Sequence, residues 1–442
     1  MRITQKRGTT PVASRSRGWR FTHVAYVALF AGTLAACDEI TSLDQEAPSR
    51  VVADDLYQPA NAQLLVTSTI SDFECALAQY IIAAGLVGDE LIDAQLSQAG
   101  WDYDRRTIVP SLAAYGTSGC TSTQVPGYYT PISIARATAD RITAALEGWT
   151  DQEVPNRQLL IATAAVHAGY ALVLLGESAC SAAIDGGPEL TPVQVLTEAE
   201  SRFTKAITAA QAANNTDILN MARVGRARAR VGLRKFAEAK ADASLVPDNY
   251  VHNATYSQAN ARRENLVNTQ FFRGLFSSVD PSFRNLTVNG VPDTRVPVVD
   301  AGVPGQDGLT RIWRTTKYPT IATPIPIASG DEAILLTAEA DLEAGNVTAA
   351  VAGINKLRTK SSLPEYAGGT AAQVRAQLID ERRRELYLEG QRLGDIIRFN
   401  IPQSPAAGTP FPIKGGQYGT QICFPLPDVE RNNNPTLGGK TP

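Results

Sequence analysis

The chain has 442 residues, enough for one large domain or two to three smaller ones, and its 44% apolar and 19% charged residues are an ordinary globular balance. The formal charge of −3 hides an asymmetry: residues 1–36 hold six of the 41 Lys and Arg and none of the 44 Asp and Glu, which leaves the remainder at −9. An acidic remainder argues against a nucleic-acid partner.

The N-terminus reads as a targeting segment. Basic residues end at Arg20, an apolar run covers 24–31, and small residues lead to Leu34-Ala35-Ala36-Cys37. This is the order of a secretory signal spanning residues 1–36, too short and wrongly flanked for a membrane span. The Leu-Ala-Ala-Cys ending resembles the bacterial lipobox, which implies acylation of Cys37 and stable anchoring by its acyl chains. Asp38 and Glu39 resemble the acidic signal that sends some lipoproteins to the outer surface. Residues 37–58 then form the lipidated cysteine and a polar tether, and 59–442 are expected to form one domain. No later run is read as a membrane span. Cys75, Cys120, Cys180 and Cys423 suggest disulfides in an oxidising compartment, in any of three pairings. None stands in a CxxC and only His167 and His252 follow the signal, so neither a metal site nor a cofactor is expected.

From residue 61 to about 97 apolar residues recur at helical spacing, interrupted by Gly85 and Gly88, which predicts two helices or a kinked one. Residues 99–130 lose the period and are rich in aromatics. Helical pattern returns at 132–146. Small residues then recur seven apart: Gly169 and Gly176, Gly225 and Gly232, Ala338 and Gly345. In each pair the first is read as a close-packing site and the second as the turn. Ala237 and Ala350 each follow five residues later, and Pro247 closes one copy. These units resemble tetratricopeptide helix pairs, with the turn after Gly176 expanded and a helix restarting near Thr191 and Pro192. The copies are unevenly spaced, so insertions interrupt them, the largest at 250–330. That insertion is full of turn formers, with brief strands expected around Arg311-Ile312-Trp313-Arg314. Asp331 is read as the N-cap of a helix over 332–344, and Asn346 as that of 347–359.

Residues 380–399 read as one helix. Ile379, Leu386, Leu393 and Ile397 recur at seven, seven and four, on one face. Arg382 and Glu389 lie near that face, and Gly390 stands mid-helix, where glycine costs about 1 kcal/mol relative to alanine. An exposed charged helix is one reading. The other is a nearly buried ion network with a neighbouring backbone close at Gly390. Beyond Phe399 the chain is Pro-, Gly- and Asn-rich, which predicts an irregular C-terminal segment.

Three blocks carry a resemblance. They are Ala333 to Gly345 running on to Ile354-Asn355-Lys356-Leu357-Arg358; Glu381-Arg382-Arg383-Arg384-Glu385-Leu386 with Glu389-Gly390-Gln391-Arg392 and Asp395-Ile396-Ile397-Arg398; and Phe424-Pro425-Leu426-Pro427 with Glu430 and Asn434-Pro435. Together they resemble the C-terminal half of the SusD/RagB family of outer-membrane nutrient-uptake lipoproteins. The resemblance implies a mainly α fold, a tetratricopeptide-like helix-pair scaffold with long irregular insertions near 99–130 and 250–330. It implies a surface-exposed, lipid-anchored outer-membrane protein that captures an oligosaccharide or similar oligomer and hands it to a TonB-dependent SusC-like barrel, without being an enzyme. It also makes Glu381, Arg382, Glu385, Glu389, Gly390, Arg392, Asp395 and Arg398 a structural signature, expected to dock on the helix pair around Ala338 and Gly345.

Catalytic patterns fail. Gly438-Gly439-Lys440-Thr441 imitates the end of a Walker A loop, but no helix follows it within this sequence. Gly116-Thr117-Ser118-Gly119 has the wrong spacing for a nucleophile elbow. Sugar recognition needs aromatic platforms beside hydrogen-bonding groups, and Trp101, Tyr103, Tyr128, Tyr129 and Trp313 stand in the aperiodic stretches where such platforms are expected. The loop 300–307 has oxygen ligands of a kind that suits calcium but no EF-hand pattern. The alternative function is a tetratricopeptide-type lipoprotein acting in envelope protein assembly.

Overall fold

Helical periodicity dominates the sequence, and helices dominate the structure, a computed structural model that describes residues 53–438. The signal segment, Cys37 and most of the tether lie outside the described residues. Ala53–Leu56 is a helical turn of the N-terminal unit, and the chain from Tyr57 onward is a second unit. Its first helices are α1 (Ala62–Val87), α2 (Gln98–Asp104), α3 (Ala113–Thr117), α4 (Tyr129–Gly148) and α5 (Arg157–Ser178). Next come α6 (Pro192–Ala212), α7 (Thr216–Gly232), α8 (Phe236–Ala243) and α9 (Leu266–Phe272). The last are α10 (Gly330–Glu343), α11 (Val347–Lys360), α12 (Ala371–Glu385), α13 (Arg392–Phe399) and α14 (Asp428–Asn433). The scaffold is built by successive neighbours: α4 packs on α5, α5 on α6, α6 on α7, α7 on α8, α8 on α10, and α10 on α11 and α12.

α1 is one continuous helix, not two, because Gly85 sits in its interior with Leu91 packed close by, and only Gly88 ends it. α5 carries an uncharged run from Leu159 to Gly176, and the helix is long and apolar enough to cross a membrane, contrary to the expectation that no such run follows the signal. Of its most apolar 18-residue window, 94% is buried within the fold, as befits a helix apolar on all sides that serves as the centre of a bundle.

The glycines seven apart have a physical partner. α6 presents Leu196 and Phe203, also seven apart, between α5 and α7. A Cβ at Gly169 would lie 2.8 Å from the Phe203 ring, and one at Gly225 2.3 Å from it. One at Gly176 or Gly232 would lie 2.7 Å from Leu196. All four are therefore close-packing positions, including Gly176, which does not end α5. The turn role belongs to Gly345, at φ 81 with open space around it, while Ala338 is met by Gly353 of α11.

Caps set several starts. Thr191 and Gln194 form a reciprocal capping box at α6, and Thr370 and Gln373 another at α12. α10 is capped by Ser329, whose hydroxyl accepts from the Glu332 N–H at 3.1 Å; Asp331 is already inside the helix. Asn346 precedes α11 but does not cap it, its amide being turned to Asp341 at 3.3 Å.

The long insertion leaves and returns at one place, because β2 (Val251–Ala254) pairs antiparallel with β6 (Ile325–Ser329). Within it β4 (Val298–Pro304) pairs with β5 (Arg311–Thr315), and β3 (Ser277–Val279) pairs with β1 (Leu91–Asp93), which lies just after α1. Disulfides join Cys75 to Cys120 and Cys180 to Cys423, pinning the 99–130 insertion to α1 and the C-terminal segment to the end of α5.

Residues 380–399 are not one helix. α12 stops at Glu385 and α13 begins at Arg392, with Leu388 at φ 53 and Gly390 at φ 80 in the turn. Gly390 therefore costs a helix nothing. It supplies a left-handed turn against α1, where a Cβ would lie 3.0 Å from the Tyr80 ring. The close neighbour is a side chain, not a backbone.

Candidate functional site

The signature residues form a buried ion network that fastens α12 and α13 to the rest of the fold. Arg382 bonds Asp395 at 2.8 Å with both side chains buried, and Arg398 bonds Asp395 at 2.9 Å and also Glu339 of α10. Arg392 holds Asp89 just beyond α1, at 2.9 Å. From the insertion, Lys317 reaches Glu389 at 2.7 Å, and Arg295 reaches Glu381 at 2.6 Å and Glu385 at 3.0 Å. Burial alone would raise Asp395, but the guanidiniums of Arg382 and Arg398 outweigh it and hold the carboxyl below its usual range. Burial pushes Glu385 up to about 7, against the pull of Arg295. Ile334, Leu335, Ala338 and Leu342 of α10 share an apolar cluster with Val374 and Leu378 of α12 and Leu386 beyond it, so the signature docks on the helix pair around Ala338.

The aromatic candidates divide. Tyr103, Tyr128 and Tyr129 are buried and present no face to solvent. Tyr128 stacks on Phe424 at 3.8 Å, Tyr103 lies 5.9 Å from the same ring, and the Tyr103 hydroxyl donates to the Pro126 carbonyl at 2.9 Å. With Tyr115 they form the core of the irregular layer, drawn in because that layer has few aliphatic residues to fill its own interior. Trp101 and Trp313 remain partly exposed.

Around Trp101 three distant stretches converge. The Lys414 ammonium, itself almost buried, donates to the Asp93 carbonyl at 2.9 Å and to the Asp93 carboxylate, lies 3.3 Å from Asp307, and sits 5.8 Å from the centre of the Trp101 ring. The Asp93 N–H donates to the Asp104 carboxyl at 2.8 Å. Burial pushes Asp93 up to about 6, with Lys414 opposing it, and Asp104 up to about 8. Three buried polar atoms here have no hydrogen-bond partner among the described residues: the Trp101 indole N–H, Gln95 Oε1 and Asp93 Oδ1. Exposed apolar residues flank these contacts in sequence. They are Leu96 at 69%, Leu309 at 69% and Ile413 at 53%, the last a β-branched residue at φ 68.

Trp313 belongs to the same layer. Its backbone N–H donates to Ser278 Oγ of β3 at 2.8 Å, β3 pairs with β1, and Arg284 lies 5.0 Å over the indole face. The arrangement sets partly exposed aromatic surface over a buried cluster of ammonium, carboxyl and amide groups. Lys414, Asp93, Gln95 and Arg284 carry no motif and stand in stretches without periodicity, so nothing local in the sequence marks them. Asp300 and Asp307 already have partners: Asp300 accepts from Arg311 and the Gly302 N–H, and Asp307 from Thr310 and the Leu309 N–H. Among the described residues no group of three or more His, Cys, Asp or Glu side chains is placed to hold a metal ion.

The sequence profile of the SusD family matches residues 332–438, the segment that contains the ion network. This chain has the fold of SusD superfamily structures, and its residues 332–438 are similar to the SusD family. The starch-binding protein SusD of Bacteroides thetaiotaomicron is 31% identical over 169 residues, which span 34% of this chain and 29% of that protein. A SusD superfamily protein from Bacteroides vulgatus superposes with a TM-score of 0.64 at 15% identity, covering 86% of this chain and 97% of that one. Surface glycan-binding protein A from Bacteroides uniformis superposes at 0.61 with 15% identity, covering 86% and 98%. The structural likeness establishes the architecture, a helix-pair scaffold with irregular insertions.

Proposed function

We propose that this chain is a glycan-binding lipoprotein of the outer membrane, anchored through Cys37 and exposed at the cell surface. In this reading it captures an oligosaccharide on its irregular layer and passes it to a TonB-dependent SusC-like barrel, and it is a binding protein, not an enzyme. The observation that carries the reading is the setting of Trp101. A sugar ring has apolar C–H faces and a rim of hydroxyls, so it is held by an aromatic plane with hydrogen-bonding groups beside it. Trp101 supplies the partly exposed plane, with the Lys414 ammonium 5.8 Å from its ring and Arg105 four residues along the same helix, while the Trp101 N–H, Gln95 Oε1 and Asp93 Oδ1 are buried beneath and present nothing to a ligand. Trp313 supplies a second indole in the same layer. The SusD-family segment, the starch-binding and glycan-binding names of similar proteins, and the lipobox-like end of residues 34–37 support the wider role. Affinity electrophoresis against a panel of neutral polysaccharides tests it. Retardation by at least one polymer, lost in Trp101→Ala with unchanged folding, is expected. No retardation by any polymer removes the carbohydrate part of the proposal.

A further inference from the structure

A cleft of about 440 Å³ opens where the hairpin of Thr287–Val288 and Val291–Pro292 meets α11, α12 and the link between those helices. None of the aromatics singled out in the sequence lines it. Its one aromatic residue is Tyr366, in the link, and this ring is partly exposed.

Two of its walls are fixed in advance. The Asn355 side chain grips the Tyr366 backbone twice: Oδ1 accepts from the Tyr366 N–H at 2.7 Å, and Nδ2 donates to the Tyr366 carbonyl at 3.0 Å. Tyr366 also packs on the apolar cluster of α10 to α12, with the Arg358 guanidinium 5.7 Å from the ring centre. In the hairpin, Asn289 at φ 48 and Gly290 at φ 84 form a two-residue turn, left-handed at both positions. Three polar groups on the lining are largely uncommitted. The exposed Asn289 amide and Glu365 carboxylate have no side-chain partner among the described residues, and Gln377 makes one contact of 3.4 Å, through its amide nitrogen to Glu381.

Charge narrows the occupant. The lining holds two guanidiniums, Arg358 and Arg384, and two carboxylates, Glu365 and Asp380. Arg384 donates to Asp380 at 2.7 Å and Arg358 to Glu381 at 3.0 Å. Behind the wall Asp293, Glu381 and Glu385 share Arg295, so the field gives an anion no advantage, and the two guanidiniums give none to a cation. What suits the cleft is a neutral body with an apolar face for the ring and hydroxyls for the amides and the carboxylate. The volume lies in the range of about 300–1,000 Å³ usual for small-molecule sites. We infer that this cleft is a second saccharide site, taking one or two neutral sugar rings on Tyr366, with Asn289, Gln377 and Glu365 as hydrogen-bonding partners. In ligand class the site rests on the glycan-binding reading above; in geometry it is independent of Trp101.

The test is crystallography of the full-length protein soaked separately with maltose, cellobiose and lactose, and titration calorimetry of the Trp101→Ala variant with the same sugars. Expected is a sugar ring against Tyr366 with a hydroxyl in hydrogen-bond range of Asn289 or Gln377, and calorimetric binding weakened about tenfold by adding Tyr366→Ala. Asn289→Gly is the second variant, because glycine keeps the left-handed turn and removes only the amide; it should weaken binding severalfold with unchanged melting. Absence of ring density with all three sugars, or binding indifferent to both Tyr366→Ala and Asn289→Gly, overturns the inference. Retention of a polysaccharide by the native protein in that case leaves the Trp101 reading standing. Ring density on Tyr366 with a negative polysaccharide panel upholds the cleft and removes the Trp101 reading alone.

Discussion

The helical scaffold and the irregular layer are held together by different means. In the scaffold, cohesion is periodic. Leu196 and Phe203 of one helix fill gaps left by glycines on its two neighbours, and the next turns repeat the device. The irregular layer has no period to repeat. Its order comes from long-range ties: two disulfides, the Tyr103, Tyr115, Tyr128 and Phe424 stack, and Lys414 gripping Asp93. A periodic core buries its side chains uniformly and leaves little to offer a ligand. A layer pinned at a few points can leave an indole partly open at its surface. The contrast sets a rigid frame beside the irregular layer on which the proposed glycan binding is placed.

Arg382→Ala attacks the frame hardest. Removing one partner of a buried ion pair costs about 3–5 kcal/mol, and the lower end is expected because Arg398 still holds Asp395. Chemical denaturation should show that loss while ligand affinity of the Trp101 layer stays level. Loss of that affinity with unchanged stability would erase the distinction between the regions. Replacing both Cys180 and Cys423 with Ser should cost about 2–5 kcal/mol, since the bridge closes residues 243 apart in sequence. Limited proteolysis should then cut the 400–427 segment before the helices; simultaneous cutting of both would mean that the layer is not separately pinned. Gly225→Val should cost about 1–3 kcal/mol through overpacking on Phe203, read as a lower melting temperature, and should not alter glycan retention. Trp101→Ala should do the converse, weakening glycan binding about tenfold, or about 1.4 kcal/mol, with little change in melting.

Change of pH acts on both regions at once. Burial pushes Glu90, Glu332 and Glu385 up to about 7 from 4.5. The folded state therefore binds more protons than the unfolded one between those values. The stability from these groups is complete below about 4.5 and is lost as pH rises through about 7. Asp395 and Asp293 are held below their usual 3.8 and act oppositely, losing their contribution only as pH falls below that value. Melting temperatures should peak near pH 5 and decline toward pH 7.5; a steady rise across that interval would contradict the buried-carboxyl geometry.

Much of the scaffold was legible from residue spacing. The glycine pairs, the Thr191 cap with Pro192, the uneven helix pairs and the charged signature all stand in local patterns, and local patterns report helices because an α-helix is made of contacts three and four residues apart. Even so, one helix was read across 380–399 where two exist. The apolar period continues through the break, and only Tyr80, packed against Gly390 from across the fold, shows why the turn is there. The signature's burial was one of two readings open to composition, and partners as distant as Lys317 and Asp89 decided it.

The irregular layer was the least legible part. Five aromatics stood in equivalent aperiodic stretches, and nothing local separated Trp101 and Trp313 from the three tyrosines that became core. The sequence by itself determined the helix-pair architecture, the family segment at 332–438 and the set of cysteines. Tertiary structure alone decided which cysteines pair, which rings stay open to solvent, and that Lys414 reaches back to Asp93 across 321 residues. The physical reason is reach. Helix formation is settled by near neighbours, whereas burial of a ring or pairing of a charge depends on residues that only folding brings together.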